Sequence, residues 1–193
     1  MKKTLLKLSW VLYFIIQMTF TAKAQEEMNE KIIEDTSWKK NYRSFATKEN
    51  DLVHTKLVAN FDYTQSQLNG EVWLQLRPHF YATAQLILDA KGMDIHQVSI
   101  VKNETKNTLK YNYDGKIISI DLDKTYSANE TYTVYVKYTA KPNEYKAKGS
   151  EAITDAKGLY FINPLGKEKN KPTQIWTQGE TEGTSVWIPI IDK

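Results

Sequence analysis

The sequence predicts an all-β domain, a sandwich or a twisted open antiparallel sheet, preceded by an N-terminal signal peptide. Three observations carry this expectation. From Asp51 onward side-chain polarity alternates with a period of two, as in half-buried strands. Between residues 51 and 142 no amphipathic helical stripe of three or more turns occurs. Twelve Tyr, six Phe and five Trp accompany only five Pro and eight Gly, which favours β-structure over disorder. The 193 residues, 41% hydrophobic and 25% charged, suit one domain with an appendage.

The appendage comes first. Met1-Lys2-Lys3 is a basic lead, Leu5 to Phe20 is mostly apolar, and Ala22-Lys23-Ala24 forms an A-x-A cleavage site before Gln25. This is the signal-peptide pattern. The apolar stretch is shorter than the ~20 residues that span a bilayer. Export to the periplasm or the exterior is therefore expected, with residues 1–24 removed and no stable membrane anchor left. Residues 1–24 hold four lysines and no acid. The remainder carries 22 basic and 23 acidic side chains, a net charge of −1. That balance gives no electrostatic footprint for nucleic acid. Without cysteine, disulfides, thiolate catalysis and Cys-based metal sites are excluded.

Residues 25–50 are highly charged and without a clear period. They read as a solvated lead-in with room for a short helix around Glu27 to Glu34, pinned to the domain by Trp38, Tyr42 and Phe45. The domain proper is expected over 51–193. Its first strand, Val53 to Tyr63, places Val53, Thr55, Leu57, Ala59, Phe61 and Tyr63 on one face. Thr64 to Gly70 ends in the turn dipeptide Asn69-Gly70 and leads to Glu71–Arg77, with Val72, Leu74 and Leu76 inward. Gln85–Asp89 is a short apolar run. Met93–Lys102 sets Ile95, Val98 and Ile100 around a bulge. Thr108–Tyr113 and Lys116–Leu122 flank Asp114-Gly115, the strongest hairpin signal in the chain. In Thr131–Tyr138, residues Tyr132, Val134, Val136 and Tyr138 read as inward against Thr131, Thr133, Tyr135 and Lys137, and the two faces could swap, since both are rich in β-formers. Pro142–Asp155 is a polar loop, Gly158–Ile162 another strand, and Asn163–Pro172 a further loop.

No complete catalytic constellation is visible. His54, His79 and His96 do not form an HExxH helix, and each reads as a surface or hydrogen-bonded imidazole. There is no G-x-S-x-G elbow, P-loop or G-x-G-x-x-G. The sequons at Asn103 and Asn129 matter only in a host that glycosylates them. What remains is the last stretch, Gln174–Asp192. It ends in Trp187-Ile188-Pro189-Ile190-Ile191, large apolar groups that need cover. The expectation is that a fragment would leave them exposed, whereas a self-contained module would bury them in its own sheet.

Thr177-Gln178-Gly179-Glu180, followed after seven residues by Ile188-Pro189-Ile190-Ile191-Asp192, resembles the aminopeptidase N-type family of zinc metallopeptidases. That family carries a T-Q-x-E segment leading without gaps to F-P-C-[FY]-D. The resemblance extends back through Val53–Tyr63, Leu68-Asn69-Gly70-Glu71-Val72, Leu86-Ile87-Leu88-Asp89-Ala90 to Val98, and Gly158-Leu159-Tyr160. It implies the family's N-terminal β-domain, a saddle-like twisted antiparallel sheet packed on the catalytic domain, stopping at the start of that catalytic domain. Two departures stand out. Ile188, Ile190 and Ile191 replace two aromatics and a Cys, and Gly183, Thr184 and Ser185 stand where an Arg is frequent. The resemblance further implies peptide substrates with a free N-terminus, and zinc held by a catalytic domain outside this chain. It implies a share in the substrate pocket for Gln178 and Glu180, with no catalytic or metal-binding residue here and no activity for the chain alone. A carboxylate near the zinc can pair with the substrate's ammonium. Gln178 offers both donor and acceptor at the first side-chain pocket. The alternative from a different class is a stand-alone secreted module binding protein or carbohydrate, with Trp73, Tyr111 and Tyr135 as stacking surfaces.

Overall fold

A computed structural model of the chain describes residues 47–146 and 157–192. The described residues all belong to one compact unit, Ala46–Lys193. The expected signal peptide, the short helix around Glu27–Glu34, and Trp38, Tyr42 and Phe45 lie outside the described residues, as does most of the Pro142–Asp155 loop.

The expected all-β architecture is observed. Ten strands follow in chain order: β1 (Asn50–Asp62), β2 (Gln67–Pro78), β3 (Thr83–Asp89), β4 (Met93–Lys102), β5 (Thr105–Thr108), β6 (Lys110–Tyr113), β7 (Ile117–Tyr126), β8 (Tyr132–Ala140), β9 (Leu159–Ile162) and β10 (Gln174–Thr177). They form a five-stranded sheet in the order β1-β2-β8-β4-β5, a three-stranded sheet β3-β7-β6, and the two-stranded ribbon β10-β9. Every pairing is antiparallel, and the larger sheets are open rather than closed into a barrel.

The alternation read from the sequence builds the core. Leu68, Val72, Leu74 and Leu76 of β2 and Tyr132, Val134, Val136 and Tyr138 of β8 are buried on one face of the large sheet. Leu86 and Leu88 of β3 and Ile118, Ile120 and Leu122 of β7 join them from the small sheet in one cluster. Asn50, only 3% exposed, stitches the two sheets together. Its amide donates to the Gln85 carbonyl at 3.3 Å and its Oδ1 accepts from the Tyr132 hydroxyl, so both ends of this buried amide are hydrogen-bonded.

Four local expectations are corrected. The first turn spans residues 63–66, with Ser66 at φ 54°, and Asn69-Gly70 lies inside β2, paired to Asn60 and Ala59. The reason is steric. A Cβ on Gly70 would sit 2.3 Å from Tyr138 Cζ, so the glycine serves the ring crossing over it rather than a turn. Val53 is the extra residue of a β-bulge between Leu52 and His54, which turns it outward to 49% exposure. The run Thr108–Tyr113 is not one strand. Leu109, 6% exposed, carries the chain from β5 in the large sheet to β6 in the small one, donating its N–H to the Val98 carbonyl at 3.0 Å. Asn103 and Glu104, both at positive φ (45° and 66°), form the tight turn between β4 and β5, where only a sequon was read. The bulge in β4 falls between Ile95 and Gln97, where one was expected.

Candidate functional site

The terminal motif begins where β10 runs out. The Gln178 N–H donates to the Gly158 carbonyl at 2.8 Å, which extends the β9–β10 ladder by one bond. Two short 3-10 turns follow, Glu180–Glu182 and Thr184–Val186. They pack against the ribbon through paired glycines. Gly158 adopts φ +68°, and a Cβ there would lie 1.8 Å from the Gly183 carbonyl oxygen. Glycine is thus required twice over, by conformation and by space.

The segment is clamped by the end of β3. Asp89 and Ile190 exchange both backbone hydrogen bonds, N–H to carbonyl at 2.8 Å and 3.0 Å. The Asp192 N–H donates to Asp89 Oδ2 at 3.2 Å, while Asp192 Oδ2 accepts the Ser185 N–H at 3.0 Å. The Lys91 N–H donates to the Ser185 carbonyl at 2.7 Å. Its ammonium reaches the Glu182 carboxylate at 2.9 Å and the Glu182 carbonyl at 3.2 Å. From the large sheet, the Tyr138 hydroxyl donates to the Trp187 carbonyl at 2.9 Å. Burial drives the Tyr138 phenol well above its ordinary range, so it stays a donor at any physiological pH.

These bonds settle where the apolar tail goes. Val186 is 1% and Ile188 7% exposed, Pro189 is buried, and Trp187, Ile190 and Ile191 are half-buried against the core. The exposed apolar patch expected of a fragment at this end is therefore corrected, and the burial is the outcome expected of a self-contained module. The domain covers the tail with its own residues.

The two residues singled out from the sequence sit together on the solvent side. Gln178 and Glu180 are both exposed, and the Gln178 side-chain amide donates to Glu180 Oε2 at 3.3 Å. No other side-chain partner meets Glu180 among the described residues. Glu182, its neighbour two residues on, is already paired by Lys91. The local geometry thus separates two acids. One carries a compensated charge, and the other keeps an oxygen free to receive a cation.

Sequence reasoning passed over Lys91, Glu182, Asp89 and Tyr138 as parts of this site. The Leu86–Val98 segment had drawn attention, but no periodicity links residue 91 to residue 182.

No described cluster of three or more His, Cys, Asp or Glu side chains could hold a metal. His79 Nδ1 lies 2.9 Å from Asp51 Oδ1, His96 Nε2 lies 2.9 Å from the Thr139 hydroxyl, and His54 is exposed on β1. The described residues therefore do not fit a zinc site.

The stacking surfaces of the alternative reading are largely occupied. Tyr135 is 2% exposed beneath the Lys106 ammonium, 3.4 Å from its ring centroid. Trp73 is flanked by Lys56 and Lys106, each at 4.9 Å. Tyr111 keeps 39% exposure.

Residues 38–193 match the profile of the peptidase M1 N-terminal domain. No curated protein matches the chain. Among solved structures, a two-domain M1 zinc metallopeptidase bound to L-arginine superposes with a TM-score of 0.58 at 15% identity, over 78% of this chain and 31% of that one. An M1 zinc metallopeptidase from Deinococcus radiodurans bound to a Tyr-Ser-Ala substrate gives 0.55 at 14%, over 77% and 31%. Yeast leukotriene A4 hydrolase in complex with bestatin gives 0.52 at 20%, over 74% and 21%. The chain thus spans a third or less of the length of these structures, and at such identities the likeness speaks to fold.

Proposed function

The chain belongs to the peptidase M1 N-terminal domain family, and from that premise we propose that it is the non-catalytic β-domain of an exported zinc aminopeptidase. In this reading it contributes scaffold and part of the pocket that receives a peptide's free N-terminus. Zinc, its ligands and the glutamate that activates water come from a catalytic domain encoded after Lys193. The chain alone is inactive.

The observation that carries the reading is the turn at Gln178–Glu182. It presents one uncompensated carboxylate, Glu180, with Gln178 bonded to it from one side. A substrate ammonium brings three donors and one positive charge. One of them can bond the Glu180 oxygen that Gln178 leaves open, and the Gln178 side-chain oxygen can accept another. Both groups lie in solvent here, where such a contact is weak. A second surface closing over the turn would exclude water and strengthen the charge-assisted bond. The backbone bonds from Gln178 to the Gly158 carbonyl and from Gly183 to the Gly179 carbonyl hold the turn ready for that closure without rearrangement.

The test begins with the coding sequence after Lys193, which should encode an HExxH-bearing domain. The full gene product should release N-terminal residues from peptides when loaded with zinc, and acetylation of the peptide amine should abolish release. Removal of residues 1–24 is proposed with export, and the mature protein should begin at Gln25. Zinc-dependent aminopeptidase activity of the 193-residue chain alone would contradict the assignment of roles.

A further inference from the structure

The amine-binding turn holds two glutamates two residues apart, and a cation could in principle be drawn to either. Lys91 distinguishes them. Its side chain is 17% exposed and crosses from the end of β3 to the turn, 91 residues away in sequence. There its ammonium takes two acceptors on one residue, the Glu182 carboxylate at 2.9 Å and the Glu182 carbonyl at 3.2 Å.

Glu182 has φ +70°, in the left-handed region that a non-glycine residue keeps only when its surroundings hold it. The surroundings here are few and specific. The Ser185 hydroxyl donates to the same Glu182 carbonyl at 2.8 Å, and the Lys91 main-chain N–H takes the Ser185 carbonyl at 2.7 Å. Lys91 therefore grips both sides of the reversal between the two 3-10 turns. An ordinary exposed ion pair has only its charges to offer and contributes little. This ammonium also satisfies a carbonyl at the strained residue.

We propose that Lys91 is a positioning residue of the amine-binding turn. It ties Glu182 back against the domain and neutralises it, so that Glu180 alone faces an incoming ammonium. The proposal rests on the amine-binding reading of Gln178 and Glu180, and its test separates the two.

The experiment is backbone-amide NMR on the whole chain, with L-leucinamide as a free-amine probe and N-acetyl-leucinamide as its uncharged control. In the unmodified chain leucinamide should shift the amides of residues 178–182 and the acetylated control should not. Lys91→Met should weaken that response about tenfold, a coupling of ordinary size between linked sites. Lys91→Arg should restore most of it. The double variant Lys91→Met with Glu182→Gln removes the unpaired charge but not the missing tether, and should stay weak. Wild-type binding in the double variant would reduce Lys91 to a charge balance and overturn its positioning role. Undiminished binding in Lys91→Met would overturn it outright.

Hydrogen exchange gives a readout that needs no ligand. In Lys91→Met the Gly183, Val186 and Trp187 amides should exchange about tenfold faster through local opening, while β2 and β8 amides keep their rates. Unchanged exchange at those three amides would sink the proposal. Absence of any leucinamide response in the unmodified chain would instead count against the amine-binding reading, leaving exchange to decide the role of Lys91.

Discussion

The centre of the large sheet and the terminal motif are held in place by different physics. Between β2 and β8, strand pairing runs unbroken from Leu68 opposite Ala140 to Leu76 opposite Tyr132, and the inward side chains between them are essentially sealed from water. The motif from Gln178 to Asp192 has no such ladder. It hangs on scattered bonds to Gly158, Asp89, Lys91 and Tyr138, with Val186 and Ile188 as its apolar anchors. Burial makes the sheet centre stable against any one lost bond. The motif, by contrast, presents polar groups to solvent, and a few well-placed bonds fix its shape. That is the division expected between a packed sheet and a surface turn.

Substitutions can break this contrast. The largest effect should come from Leu74→Ala at the sheet centre, where a fully buried side chain is lost. Denaturant unfolding should show a loss of ~3 kcal/mol with the cooperative transition preserved. Gly158→Ala should follow at ~2 kcal/mol, since the backbone is left-handed there and the new methyl meets the Gly183 carbonyl. Unlike the first variant, its spectral changes should concentrate at residues 178–188. Tyr138→Phe deletes the hydroxyl bonded to the Trp187 carbonyl while keeping the ring over Gly70. It should cost ~1 kcal/mol and speed amide exchange at Ile188 and Ile190 more than in β2.

The smallest effect within the physiological range should come from pH, and it sharpens the contrast at the alkaline end. Burial, then the hydrogen bond to Glu71, lifts the Tyr135 phenol to about 12. Its folded-state value is raised, so its contribution is fully present below pH 10 and is lost as pH climbs towards 12. Thermal melts should be insensitive to this group at neutral pH and should fall across that window. Tyr135→Phe should flatten the alkaline fall.

The sequence was most legible where one periodicity governed one sheet. β4 spans Met93–Lys102 as read, and the inward set of β8 is Tyr132, Val134, Val136 and Tyr138 as read. It misled where a local signal served a distant partner. Asn69-Gly70 has the composition of a hairpin turn, yet Gly70 answers to a ring 68 residues later. Leu109 is one apolar residue in an alternating run, and nothing local announces that the chain changes sheets there. Within the site, Gln178 and Glu180 could be picked out because they stand in a contiguous motif. Lys91 and Glu182 could not, because the information that pairs them lies in the fold. The burial of the tail stayed open between an exposed end and a final core strand for the same reason. Its pairing partner, Asp89 of β3, lies about a hundred residues earlier, and the core that covers it is drawn from strands throughout the domain.

In the proposed function, Glu180 receives a substrate's N-terminal ammonium. The most direct test of this role is the full gene product with its proposed catalytic domain, comparing kcat/KM for a free-amine peptide between the unmodified enzyme and Glu180→Gln. Loss of a charge-assisted bond of roughly 1.5–3 kcal/mol predicts a fall of about 10- to 150-fold. An unchanged kcat/KM would contradict the account and leave Gln178 and Glu180 as a polar turn in solvent.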